Sequence, residues 1–289
     1  MSGLGLRSRG CRAQADAVCH ALPAIVLGLA SLALSVLATK HRYPWYHERG
    51  GQRMSGPVTV CHRGASALAP ENSLPAFQLA MEYGVDMVEL DVHLSGDGQL
   101  VVTHDAEVRT RSGRVVDVGT LPAEELGRLD VSDAGGVPRL VDVFELVRGR
   151  MGVYVELKGA RTGAALGALL RTGAAAGVEL ISGSAVLDLV AELREAAPEV
   201  PRSILFTPGW RLDEMIAACR ELGASYAHPC FRPIEPAMVD AFHAARLRVM
   251  TPHTNDAAEA RRFAAMGVDV IASDDPRILA ALKREGRII

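Results

Sequence analysis

The sequence has no CxxC pair, and its five cysteines, Cys11, Cys19, Cys61, Cys219 and Cys230, are odd in number and widely spread. That spacing argues against a thiolate zinc site and gives no basis for a disulfide framework. Basic clusters are also missing from the main part of the chain. The formal charge is −3, yet residues 1–53 hold Arg7, Arg9, Arg12, Lys40, Arg42, Arg49 and Arg53 against Asp16 and Glu48, so the remainder is more acidic than the total shows. An acidic body without Lys/Arg clusters excludes nucleic acid as a partner, because phosphate contacts need such clusters. There is no internal repeat, and the one compositionally biased stretch is the Ala/Gly-rich Gly159–Gly177. A chain of 289 residues with 49% hydrophobic content has room for one barrel-sized domain or two small ones, with ample apolar material for a core.

Charge is absent as well from Ala21 to Ala38, a run rich in Leu, Ala and Val that just reaches the roughly 18 residues needed to cross a bilayer. It reads as a membrane anchor. The chain then divides into a basic tail (1–20), a single transmembrane helix (21–39), a linker (40–56) and a folded domain (57–289). Tyr43-Pro44-Trp45-Tyr46 and Gly50-Gly51 suit an interfacial cluster followed by a linker. Two alternatives stay open. A basic start fits a signal peptide, although Ser35-Val36-Leu37-Ala38-Thr39 offers no small-x-small cleavage site. Translation from Met54, one strand before His62, would give a cytoplasmic protein. Lys/Arg on both sides of the run leave the membrane orientation open, and the oligomeric state is open too.

From Pro57 onward, short β-branched runs alternate with helical patterns. The strands are expected at Val58–Cys61, Met87–Val92, Leu100–Thr103, Gly152–Leu157, Glu179–Ser182, Arg202–Phe206, Ser225–Ala227, Arg248–Met250 and Val270–Ala272. Helical stretches such as Leu74–Tyr83, Gly163–Ala176, Ala185–Ala197, Leu212–Leu222, Pro236–Ala245 and Ala257–Met266 lie between them, which predicts a parallel sheet with crossovers. Leu94-Ser-Gly-Asp-Gly-Gln99 is too short for a parallel crossover, so the second and third runs should pair as a hairpin that sets Glu89 roughly opposite His104. Eight strands remain, the count of a closed (β/α)₈ TIM barrel. Ala106–Met151 departs from the repeat and reads as a small insertion over the barrel mouth, with a capped helix start at Thr120-Leu-Pro-Ala-Glu124.

The chemistry concentrates at strand ends. Cys61-His62-Arg63-Gly64 closes one apolar run, Glu89-Leu90-Asp91 sits in a second and His104-Asp105 ends a third. Glu156-Leu157-Lys158 lies on a fourth. Glu89 and Asp91 at i and i+2 share one strand face, and Glu156 comes from a neighbouring strand. Three converging carboxylates repel one another unless a hard divalent cation, Mg²⁺ or Ca²⁺, sits between them; all-oxygen ligands suit zinc less well. The alternative is a structural salt-bridge network of Glu89 and Asp91 with Arg63 and Lys158.

His62-Arg63-Gly64, Glu71-Asn72-Ser73, Glu89-Leu90-Asp91-Val92, Asp97-Gly98, His104-Asp105, Glu156-Leu157-Lys158 and Ser273-Asp274-Asp275-Pro276 resemble the glycerophosphodiester phosphodiesterase family in order and approximate spacing. The resemblance covers Val58 to Pro276 and implies the same barrel. It implies a metal-dependent hydrolysis giving glycerol 3-phosphate and an alcohol, with His62 and His104 as the acid–base pair. Attack by the neighbouring glycerol hydroxyl through a cyclic phosphate and direct attack by water both fit. Arg63 would offer a planar fork to the phosphate and Lys158 a point charge. Glu71 is expected to support the site from behind, Asn72 or Ser73 to cap a helix, His93 to stand at the rim, and His228, His243 and His253 to be structural or surface residues.

Two departures stand out. The family's Trp-Thr-x-Asn stretch reads Pro252-His253-Thr254-Asn255 here, and a family phenylalanine is replaced by Gly183. Both widen the expected pocket, with Phe206 and Trp210 as possible replacements. A lysophospholipase D-like activity on lysophospholipids and a catalytically silent phosphodiester-binding barrel are the rival readings.

Overall fold

The computed structural model describes residues 56–286. The expected tail and anchor, and most of the linker, lie outside them. Among the described residues no helix is long and apolar enough to cross a membrane. In chain order the strands are β1 (Val58–Cys61), β2 (Met87–Leu94), β3 (Leu100–Val102), β4 (Glu107–Arg109), β5 (Val115–Asp117), β6 (Gly152–Leu157), β7 (Leu180–Ser184), β8 (Arg202–Phe206), β9 (Tyr226–Pro229), β10 (Arg248–Val249) and β11 (Val270–Ser273). The helices are α1 (Leu74–Glu82), α2 (Ala123–Gly127), α3 (Leu140–Val147), α4 (Thr162–Arg171), α5 (Leu187–Ala196), α6 (Leu212–Glu221), α7 (Pro236–Ala244), α8 (Ala257–Ala265) and α9 (Pro276–Gly286).

Parallel pairing runs β10-β9-β8-β7-β6-β2-β1-β11, and a parallel bridge from Met250 to Val270 brings the two ends together. The result is the expected eight-stranded barrel, with a helix after each strand. Its register separates two environments along every strand. In β2 and β6, Val88, Leu90, Val92, Val153, Val155 and Leu157 join the buried apolar layer beneath the helices. The alternate residues Glu89, Tyr154 and Glu156 line the lumen.

β3 pairs antiparallel with β2, Val92 facing Val102 and Leu94 facing Leu100, as a hairpin. Thr103 N donates to Asp91 O at 3.0 Å, so His104 leaves the ladder one residue away from Glu89's level. The following segment builds a small core of its own from Val101, Val108, Val116, Val118, Ala123, Leu126 and Val137. Two local expectations need correction. Thr120 does not cap α2; its N-cap is Pro122, which has no side chain to accept, and Asp97 of the hairpin turn instead accepts from Ala123 N at 3.0 Å. The insertion is also shorter than Ala106–Met151, because α3 is the barrel helix that follows β2. It buries Leu140, Val143, Phe144 and Val147 on one face.

At the opposite end of the barrel, Asp86 accepts from Thr59 N at 2.9 Å, Thr59 Oγ1 at 2.7 Å and Lys283 Nζ at 2.6 Å. Nearby Glu179 has no such company, and its Oε2 is buried without a partner among the described residues. Burial, with the Asp86 charge second, pushes its pKa up from 4.5 to about 7. A carboxylate whose pKa rises on folding binds its proton more tightly in the folded state. Its contribution is therefore fully present below about 4.5 and lost as pH climbs through about 7. Glu179→Gln is expected to raise Tm at pH 8 and to leave it unchanged at pH 4.5. Equal shifts at both pH values in thermal denaturation would assign the effect to packing instead of charge.

Candidate active site

Chemistry-bearing side chains gather at the C-terminal ends of the barrel strands. β1 ends in a tight turn: Arg63 and Gly64 both adopt left-handed backbone, φ 55° and 80°. A Cβ on Gly64 would stand 2.8 Å from the Ala76 Cβ, so only glycine lets this loop lie against α1. The turn directs Arg63 into the site. Its backbone N–H donates to Glu89 Oε2 at 2.9 Å, and its Nε lies 3.3 Å from Asp91 Oδ2. Nη1 reaches both Glu71 oxygens at 3.1 Å, so Glu71 braces the arginine.

Glu89 and Asp91 are nearly inaccessible, at 4% and 1% exposure. With Glu156 they offer oxygens that all lie within 4.8 Å of one another. Lys158 Nζ sits 2.7 Å from Glu156 Oε1 and 3.3 Å from Asp91 Oδ1. Burial works against the Lys158 charge, but Glu156 and Asp91 outweigh it and raise its pKa; at Arg63, Asp91, Glu71 and Glu89 likewise overcome burial. A salt-bridge network therefore accounts for Asp91 and Glu156, but it does not account for Glu89. Its Oε1 is buried with no hydrogen-bond partner among the described residues, and burial followed by the Asp91 and Glu156 charges drives its pKa well above the ordinary 4.5. A third carboxylate forced in beside two others, with one oxygen unclaimed, fits a hard divalent cation. Glu89, Asp91 and Glu156 are the residues that would hold it.

Of the two candidate caps, Asn72 and Ser73, Asn72 has another task. Its backbone is left-handed, φ 52°. Its Nδ2 donates to Asp91 Oδ2 at 3.0 Å while its Oδ1 accepts from Asp91 N at 3.3 Å. Ser73 is the cap of α1, accepting from Ala76 N.

Two histidines flank this cluster in matching fashion. His62 Nδ1 is 2.7 Å from Asp274 Oδ1, and His104 Nδ1 is 2.7 Å from Asp105 Oδ1. In each, a carboxylate holds one ring nitrogen, leaving Nε2 available for proton transfer. His93 Nε2 lies 3.1 Å from the His104 carbonyl oxygen and steadies that loop. Asp274 is itself fixed by Asn255 Nδ2 at 2.7 Å. Burial pushes Asp274 up, but the His62 and Asn255 hydrogen bonds outweigh it and hold the group well below the usual carboxylate range.

A cavity of about 230 Å³ opens beside the cluster, lined by His62, Glu89, Tyr154, Glu156, His228 and His253 among others. His228 and His253, expected as structural or surface residues, thus both face this cavity, and His253 is also exposed. His228 is half-buried beside Tyr154, and desolvation lowers its pKa to about 4, so it stays neutral. The expected widening at Gly183 is absent. A Cβ there would stand 2.5 Å from Ser203 O and 2.8 Å from Ser203 Cβ, so the neighbouring strand already fills that space. Phe206 is fully buried in the layer under the helices and Trp210 packs edge-on against it, so neither replaces a pocket wall.

Residues 62–278 match the profile of the glycerophosphoryl diester phosphodiesterase family. A glycerophosphodiester phosphodiesterase of Caldanaerobacter subterraneus is 32% identical over 246 residues, which is 79% of this chain and 98% of the relative. An Oleispira antarctica phosphodiesterase, solved in complex with the product sn-glycerol-3-phosphate, superposes with a TM-score of 0.69 at 27% identity, covering 79% of this chain and 97% of that one. A human lysophospholipase D is 36% identical over 118 residues, 36% of this chain and 37% of its own length. With the profile spanning most of the barrel and the site facing its mouth, the chain belongs to the glycerophosphoryl diester phosphodiesterase family and is a phosphoric diester hydrolase.

Proposed function

We propose that the protein hydrolyses glycerophosphodiesters to glycerol 3-phosphate and an alcohol with a divalent cation, Mg²⁺ or Ca²⁺, held by Glu89, Asp91 and Glu156. The observation that carries this reading is the unclaimed Glu89 oxygen inside a carboxylate triad, flanked by two carboxylate-tethered imidazoles. When bound, the cation supplies positive charge to the phosphoryl oxygens. Of the pair His62 and His104, one accepts the proton of the attacking hydroxyl and the other donates a proton to the departing alkoxide. Arg63 and Lys158, held beside the carboxylates, stabilise the negative charge that builds on phosphorus-bound oxygen. Glu71 keeps Arg63 extended toward that charge.

A second reading, lysophospholipase D-like hydrolysis, is supported by the partial likeness to the human enzyme. The filled space at Gly183 favours the smaller substrates. Glycerophosphocholine and glycerophosphoethanolamine are therefore expected to be cleaved with higher kcat/KM than lysophosphatidylcholine, with glycerol 3-phosphate as the phosphorylated product. Faster release of choline from the lysophospholipid would favour the second reading. Turnover of none of these would leave a phosphodiester binder.

A further inference from the structure

His62 is held on two sides. The Asp274 contact at 2.7 Å fixes Nδ1, but a single hydrogen bond leaves the ring free to tilt about that contact. The second restraint is on the face. His253 lies parallel to His62, with ring centroids 4.1 Å apart and planes inclined by 7°. A flat partner at that distance removes the tilt.

The segment carrying His253 is itself anchored. Thr251 N donates to Val270 O at 3.1 Å and Thr254 N donates to Ala272 O at 2.9 Å, so both ends of the arch are tied to β11. Arg232 Nη2 donates to the His253 carbonyl at 2.8 Å, and the guanidinium is gripped by both oxygens of Glu259 at 2.9 and 3.0 Å. His253 remains exposed on its other side, so the protein core has no need of this ring. Desolvation, with the nearby His62 charge after it, lowers the His253 pKa.

We propose that His253 is a positioning residue, whose face sets the plane of the His62 ring so that Nε2 meets the reacting oxygen. The proposal rests on His62 acting as one of the two proton-transfer groups. The face, not the proton, of His253 is what matters, and a phenylalanine can supply a face.

Three variants of the full chain test it against glycerophosphocholine. His253→Ala is expected to lower kcat roughly 10- to 100-fold, the scale of a misaligned catalytic group, with little change in KM or Tm. His253→Phe is expected to return kcat to within about threefold of wild type, the difference that separates a restored face from a lost one. His62→Ala is the control, expected to lose more than either. A His253→Ala enzyme slowed only through KM would make His253 a wall of the pocket and overturn the proposal. A phenylalanine variant as slow as the alanine variant would overturn it too, by showing that the imidazole itself reacts. If His62→Ala kept full kcat, the assignment of His62 would fall first. If His62→Ala were inactive and His253→Ala normal, the positioning role alone would fall.

Discussion

Glu89→Gln and Glu156→Gln enzymes are each expected to fall to background turnover, Glu89→Gln without losing stability and Glu156→Gln with some loss, because Lys158 gives up its nearest partner. The two competing accounts of the triad predict opposite costs at Glu89. If the carboxylates were a structural network with Arg63 and Lys158, removing one charge would strand a buried cation and lower Tm. In the cation-site account, the cation-free barrel is strained by three like charges, two of them almost wholly buried, so neutralising Glu89 relieves repulsion and leaves Tm unchanged or higher. Treatment with a chelator should mimic the loss of activity, and Mg²⁺ or Ca²⁺ should restore the wild type but not the variants. Calorimetric titration of the ion gives a readout independent of turnover. Full activity after chelation, or a collapse of Tm in Glu89→Gln, would reject the cation site.

Alanine at His62 or at His104 is expected to reduce kcat by roughly 10²–10⁴-fold, the usual loss when a general acid or base is removed. The matched tethers to Asp274 and Asp105 give this a finer form. Asp274→Asn should reduce kcat in the direction of His62→Ala but less severely, because it disturbs the tautomer without removing the ring. Near-normal kcat in either histidine variant removes that residue from the chemistry. A cyclic phosphate detected during turnover would identify the glycerol hydroxyl as the nucleophile, and its absence under single-turnover conditions would point to water.

The barrel strands were legible because each is a short β-branched run bounded by turn residues, and the predicted spans fall within a few residues of the observed ones. α3 shows where that legibility ends. Leu140, Val143, Phe144 and Val147 follow a helical period in plain view. Because β3 interrupts the strand–helix alternation, that period reads in the sequence as part of the insertion. α4 was drawn to Ala176 but stops at Arg171, since Gly173 takes φ 82° and turns the chain away. The site divides along the same line. His62, Glu89, Asp91, Glu156 and Lys158 lie in or beside strands, where periodicity fixes the direction of a side chain. Asn72 and His253 act from loops whose shape depends on a left-handed residue in one case and on ties to β11 in the other, and no sequence period encodes either.

The alternation in β2 also bears on how the chain finds its fold. Glu89 and Asp91 share that strand with Val88, Leu90 and Val92, so one displaced residue in its pairing with β6 would turn both carboxylates into hydrocarbon and the valines toward the lumen. Desolvating two unpaired carboxylates costs several kcal/mol each, a sizeable share of the stability of an ordinary domain. The carboxylates proposed to hold the cation would therefore also penalise a misregistered barrel during assembly. A variant with both acids replaced by apolar residues would be released from that check, and its barrel would be free to sample slipped pairings that the natural sequence forbids.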